Sequence, residues 1–310
     1  MRFFCLIFIF LSMFMSEGNV MAQVVSSLTE QNLKIPQSPK KAIKKTATGK
    51  KESKIDIDTT TTYFRLIDTA QVYIQKKDWS NAETYIRKAI ANEPSNHNNS
   101  LLISNLATLQ RYQGKLQEAV KNYTLALDMT PNAVTLLSNR AALFIKVDSI
   151  DKAKADYQKI IKLEPGNEEA RFNLGMIELG KNNFKEADNQ FEEILRYNPG
   201  SALASEGKAF LNKGSGNYEK AAQYFSDIIK VNPSASLLAN RADCYLMIRR
   251  LNDASTDIAN ALELNPDDGY LYLLRAKLKK MRWESDAAQK DVQLAIEHGV
   301  DALTAKEALK

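Results

Sequence analysis

Six of the eight prolines in this chain recur at a near-constant interval. Pro94, Pro131, Pro165, Pro199, Pro233 and Pro266 are 37, 34, 34, 34 and 33 residues apart. Proline cannot continue a helix, because it lacks an amide hydrogen and its ring collides with the turn before it. A proline at every such interval cuts the chain into equal short units, and a fixed period of this length marks a repeat array.

Setting each proline near the end of its unit gives starts at Tyr63, Ser100, Val134, Glu168, Ala202, Ala235 and Gly269. Columns then align. The eighth places hold Ala70, Ala107, Ala141, Gly175, Ala209, Ala242 and Ala276, and the twentieth are all alanine, from Ala82 to Ala288. The twenty-fourth places are bulky: Ile86, Tyr123, Tyr157, Phe191, Phe225, Ile258 and Val292. Apolar residues recur at three- and four-residue spacing in both halves of each unit, which is the helical period. The pattern predicts two helices per unit, with Gly114, Gly180 or Gly216 at the turn between them in several units. Small eighth and twentieth residues let the helices approach, and the bulky twenty-fourth fills the space beside them. One such pair cannot bury its own apolar face, whereas stacked pairs can.

The segments Tyr112-Gln-Gly-Lys-Leu-Gln-Glu-Ala119, Asn139-Arg-Ala141 and Asn240-Arg-Ala242 resemble the tetratricopeptide repeat. That resemblance implies an all-α fold, a right-handed α-solenoid of about seven helix-turn-helix repeats with a concave inner face. The repeats are expected at 63–99, 100–133, 134–167, 168–201, 202–234, 235–268 and 269–300, followed by a C-terminal capping helix over 301–310. The first junction departs from the pattern, with three extra residues around His97-Asn98-Asn99. The seventh unit departs too, ending in Gly299-Val300 without its proline.

Arg2 precedes an apolar run from Phe3 to Phe14 broken only by Ser12, and Val20-Met21-Ala22 follows. A basic start, a short apolar stretch and a small residue before a cut are the parts of a secretory signal peptide. As a helix this run reaches only about 18 Å, against roughly 30 Å of bilayer hydrocarbon. The reading is a signal peptide over 1–22, cleaved after Ala22, and hence a periplasmic or secreted protein. Initiation at Met21 would instead leave it cytoplasmic. Residues 23–62 form a Lys-rich linker in which eight lysines face four acids, and too little apolar surface is present to offset the entropy of ordering it. Residues 63–310 hold 33 basic against 32 acidic side chains, so the chain's formal charge of +5 belongs mostly to the linker.

Catalytic chemistry finds little support. His97 and His298 lie about 200 residues apart, with no triad or metal-ligand arrangement around either. No phosphate-cradling glycine loop is present. Cys244 stands at a tenth place where the other units have Val or a larger aliphatic, which reads as core. Short glycosylation-like matches at Asp58-Thr59-Thr60, Asp148-Ser149-Ile150, Asn98-Asn-Ser100 and Asn122-Tyr-Thr124 are too common by chance to assign. No cofactor, metal or small-molecule substrate is expected.

The sixth places hold Asn105, Asn139, Asn173 and Asn240, interrupted by Asp68, Gly207 and Leu274. In the family the first helix of each pair lines the concave face, and the sixth residue points into it. An asparagine amide offers a donor and an acceptor, matching the peptide unit of an extended ligand. Two orientations fit the sequence: a ladder gripping a partner's backbone, or asparagines that simply face water. Phe172, Met176 and Phe210 stand at neighbouring inner places, either as side-chain pockets or as residues packed between repeats. The lysine and asparagine of the family's dicarboxylate clamp are missing from the fifth and ninth places.

The expected function is a non-enzymatic, exported scaffold that binds an extended protein or peptide segment on the concave face. The alternative is a rigid spacer of a cell-envelope complex whose basic N-terminal tail makes the contact, for instance with an anionic membrane surface. Nucleic acid is not an expected partner, because no aromatic-basic interleaving runs through the repeats.

Overall fold

In a computed structural model of the chain, residues 62–307 and Leu309 are described. The signal segment and all of the Lys-rich linker but Thr62 lie outside them. Among the described residues every regular element is a helix. The first three pairs are α1 (Thr62–Gln75) with α2 (Trp79–Asn92), α3 (Asn99–Tyr112) with α4 (Leu116–Met129), and α5 (Val134–Lys146) with α6 (Ile150–Leu163). The next four are α7 (Glu168–Gly180) with α8 (Phe184–Tyr197), α9 (Ala202–Gly214) with α10 (Tyr218–Val231), α11 (Ala235–Met247) with α12 (Leu251–Leu264), and α13 (Gly269–Met281) with α14 (Ser285–Glu297). A six-residue helix, α15 (Ala302–Glu307), follows. No described helix is long and apolar enough to cross a membrane.

The prolines act as the sequence predicts. Helices α2, α4, α6, α8, α10 and α12 each end two residues before their proline. The residue preceding proline is driven out of the helical region, so the helix stops one step earlier. Several of the proline carbonyls left by the break are bonded: Asn99 Nδ2 donates to Pro94 O at 3.0 Å, Lys159 Nζ to Pro131 O at 2.6 Å and Arg171 Nε to Pro165 O at 2.7 Å. In the last four pairs a side chain also caps the new first helix. Asn167, Ser201, Ser234 and Asp268 accept from the backbone N–H of Ala170, Ala204, Leu237 and Tyr270. Such caps satisfy donors that the first helical turn leaves open.

The turn inside each pair has its own constant. The fifteenth residue of every unit has a positive φ: Lys77, Gly114, Asp148, Asn182, Gly216, Arg249 and Trp283. This corrects one expectation, because Gly180 is the last residue of α7 and Asn182 takes the left-handed place. Glycine, asparagine and aspartate tolerate that conformation best. Lys77, Arg249 and Trp283 adopt it because the fold, not their side chains, demands it.

The described residues divide into two compact units, 62–163 and 164–309. In the first, the paired helices pack together, α2 packs on α3, and α4 on α5. Tyr63, Ile86, Tyr123 and Tyr157 are fully buried around Ala82, Ala119 and Ala153, as the column of small twentieth residues requires. Glu83 on α2 ties this core to the next pair through Gln110, Gln113 and Lys115, and pairs with Arg87 on its own helix. Burial alone would raise the Glu83 carboxyl, but those four donors hold it down to about 2. In the second unit Ala187, Phe191, Ala221, Phe225, Ala254 and Ile258 form the corresponding core. Here α7 also touches α9, and α11 touches α13. Helix α15 closes this unit by packing Ala305 with Leu273, Ala276, Val292 and Ala295.

Candidate functional site

The sixth-place asparagines sit midway along first helices and are all buried. In the second unit they turn back on their own helices: Asn173 Nδ2 donates to Glu169 O at 2.8 Å and Asn240 Nδ2 to Ser236 O at 2.9 Å. The Asn240 carbonyl is occupied as well, accepting from Lys213 Nζ at 2.9 Å. Lys213 also pairs with Asp243 Oδ2 at 2.9 Å, so α9 and α11 are joined at the level of this rung. Burial works against the charge on Asp243, yet Lys213 and Lys277 hold its carboxyl below the usual carboxylate range. Glu206, one residue before the gap at Gly207, is pushed up by burial.

In the first unit Asn105 lies on α3 and Asn139 on α5. Asn139 is 4% exposed, and its Oδ1 accepts no hydrogen bond within the structure. A buried carbonyl without a donor costs about 1–3 kcal/mol relative to one that is paired. Of the four asparagines it is the one with a fully buried acceptor that no donor reaches.

The gap in the row has a packing cause. A Cβ at Gly207 would lie 2.4 Å from the Phe191 ring, and one at Gly175 also 2.4 Å from it. The bulky twenty-fourth residue of the fourth pair therefore occupies the space of both a small eighth residue and the next sixth residue. Phe172, Met176 and Phe210 belong to the same apolar core. Phe172 packs on Phe191 with ring centroids 6.1 Å apart, and Phe210 meets Phe225 edge-on at 5.5 Å. Each of these ring contacts joins the two helices of one pair, α7 with α8 and α9 with α10. Cys244 is buried in that core too.

The sequence reading missed a recurring ion pair. Arg140 grips Asp156 through Nε and Nη2, both at 2.8 Å, and its Nη1 reaches Thr124 Oγ1 on α4 at 3.1 Å. Arg241 repeats this on Asp257 at 2.7 Å twice, with Nη1 on Ser226 Oγ of α10 at 3.0 Å. Arg275 and Asp291 form the third copy, at 2.9 and 2.7 Å. The signal was present as arginine at the seventh place and aspartate sixteen residues later in three units. These bidentate pairs lock first and second helices together. His298 stacks on Tyr272 with centroids 4.9 Å apart. Among the described residues no group of three or more His, Cys, Asp or Glu side chains is placed to hold a metal ion.

Two family models match the sequence, both described as the tetratricopeptide repeat, over residues 144–209 and 213–269. No curated protein matches it. Among solved structures, a tetratricopeptide repeat protein from Parabacteroides merdae is similar at 34% identity and a TM-score of 0.71. The match covers 80% of this chain and 97% of that one. At 14% identity, a structure of the Cut9–Hcn1 hetero-tetramer of APC/C matches with a TM-score of 0.64, over 82% of this chain and 49% of that one. PilF of Pseudomonas aeruginosa matches at 19% identity and a TM-score of 0.54, over 69% of this chain and 97% of that one. These last two share the fold.

Proposed function

Because this chain belongs to the tetratricopeptide repeat family, whose members are in general non-catalytic protein-interaction scaffolds, we propose that it is a non-enzymatic adaptor that binds an extended segment of a partner along its first helices. The observation that carries this reading is Asn139. Its buried carbonyl lacks a donor, and a backbone N–H of an extended peptide supplies one. Asn105, one repeat earlier on α3, extends the contact by a rung. In the second unit the amide donors of Asn173 and Asn240 are committed to their own helices, whereas the open acceptor of Asn139 lies in the first unit, which makes that unit the gripping half.

The test uses a partner recovered by affinity capture, with its binding segment mapped to a peptide. Asn139→Ala weakens that peptide by about tenfold, the equivalent of one lost hydrogen bond to a buried group. The same change leaves the melting temperature unchanged or raises it, because it removes an unmet acceptor. Unaltered affinity in a folded variant removes the asparagine from the site. Asn105→Ala, read in parallel, shows whether a second rung takes part.

The adaptor is further proposed to act outside the cytoplasm, on the strength of the amino-terminal pattern described above. The intact mass of the native protein then corresponds to a chain beginning at Gln23. A mass beginning at Met21 or Met1 overturns export by cleavage at Ala22.

A further inference from the structure

The left-handed place in the turn of each pair is set by the backbone, and in the last pair it holds Trp283. This side chain is 91% exposed, at φ 65°, where a bulky residue is strained. Its exposure is the highest among the large hydrophobic residues described. A tryptophan there contributes almost no burial to the fold, so its apolar surface is directed outward.

Two arginines outside any ion pair among the described residues, Arg282 and Arg249, lie at this turn and the one before it. Arg282, beside Trp283, donates through Nη2 to Leu251 O at 3.3 Å and Asn252 Oδ1 at 3.1 Å. Both acceptors are neutral, so the guanidinium charge is not cancelled. The same two bonds pin the turn of the last pair against the start of α12. That brings it beside the turn of the preceding pair, Ile248-Arg249-Arg250, which is preceded by Met247, itself 56% exposed. Arg249 is exposed, holds the left-handed place, and has no ion pair among the described residues. Arg250 lies over the Tyr245 ring, 4.6 Å from its centroid, and pairs with Asp253 at 2.7 Å. Glu284 and Asp286 follow Trp283 at the start of α14 and are the acidic groups nearest in sequence. In the same unit the turn Gly214-Ser-Gly-Asn217 carries neither charge nor a large apolar side chain, and Lys181-Asn-Asn183 carries a single lysine and no arginine or tryptophan.

We infer that this edge, formed by Trp283, Met247, Arg249 and Arg282, docks on an anionic lipid surface. Tryptophan favours the boundary between headgroups and acyl chains, and arginines beside it are drawn to anionic headgroups. A protruding ring on a turn needs no shaped pocket to enter a bilayer, whereas a protein partner would have to provide one. A single such contact gives weak, reversible binding that depends on salt.

The test uses the full chain carrying Trp79→Tyr, which leaves Trp283 as the only one of two tryptophans. Vesicles of 30% phosphatidylserine in phosphatidylcholine should shift its emission to the blue, and brominated acyl chains should quench it. Pure phosphatidylcholine vesicles should do neither. The Lys-rich linker can capture anionic vesicles by itself, so the emission of Trp283, not capture, decides. The double substitution Arg249→Glu and Arg282→Glu abolishes the shift, and Trp283→Ala in the native background lowers vesicle affinity by about tenfold. Capture with unchanged emission assigns binding to the linker and overturns the inference. A blue shift produced by an acidic protein but not by vesicles overturns it as well, in favour of a protein contact. If Trp79→Tyr fails to fold by circular dichroism, the difference spectrum between the native chain and Trp283→Phe gives the same readout.

Discussion

The ring of Phe191 lies where two methyl groups would otherwise stand. Gly175 faces it from α7 and Gly207 from α9, and either Cβ would approach the ring to 2.4 Å. This one residue explains why the eighth column contains a single glycine and why the asparagine row breaks in the fifth pair. Gly207→Ala is therefore expected to destabilise the second unit by about 2 kcal/mol, although alanine is the better helix former. Urea denaturation measures it. Phe191→Leu in the same chain should recover part of the loss, because the two changes share one space. A neutral Gly207→Ala would mean that the ring is free to move. The glycine at the eighth place was legible as part of a small-residue column. The glycine at the sixth was legible only as a gap, since its cause sits on a different helix sixteen residues away.

Two of the contacts that join helices in this chain differ in how plainly they show in the sequence. The alanine column and the bulky column appear directly, because close approach leaves no alternative side chain at those places. The arginine–aspartate clamps do not, because each member alone looks like an ordinary charged residue on a helix surface. Arg241 joins α11 to α12 through Asp257 and to α10 through Ser226, so one guanidinium ties three helices. Asp257 is buried, and its removal leaves that cation without its partner. Asp257→Ala should cost about 3 kcal/mol in chemical denaturation, against less than half of that for Ser226→Ala. An Asp257→Ala cost no larger than that of a surface charge, below about 1 kcal/mol, would show the clamp to be incidental. The asparagines were the opposite case. Their positions were legible, yet whether the amide returns to its own helix, as at Asn173 and Asn240, depends on a side-chain rotamer that spacing does not encode.

At the scale of the whole molecule the repeat architecture was legible from the prolines alone, and charge is partitioned along it. Residues 63–310 are nearly balanced while the linker carries a surplus of four positive charges, so electrostatic reach belongs to the linker and to local edges such as that around Trp283. Within each unit a helix packs chiefly on the next helix or the next but one. The consequence is kinetic. Residues that meet in the folded chain are near one another along it, so little loop-closure entropy stands in the way of a first contact. Chains with such local connectivity fold at the fast end of the observed range, and any pair can act as the seed from which its neighbours grow. A chain threaded through a membrane pore in extended form could thus reassemble pair by pair as it emerges, without waiting for its far end.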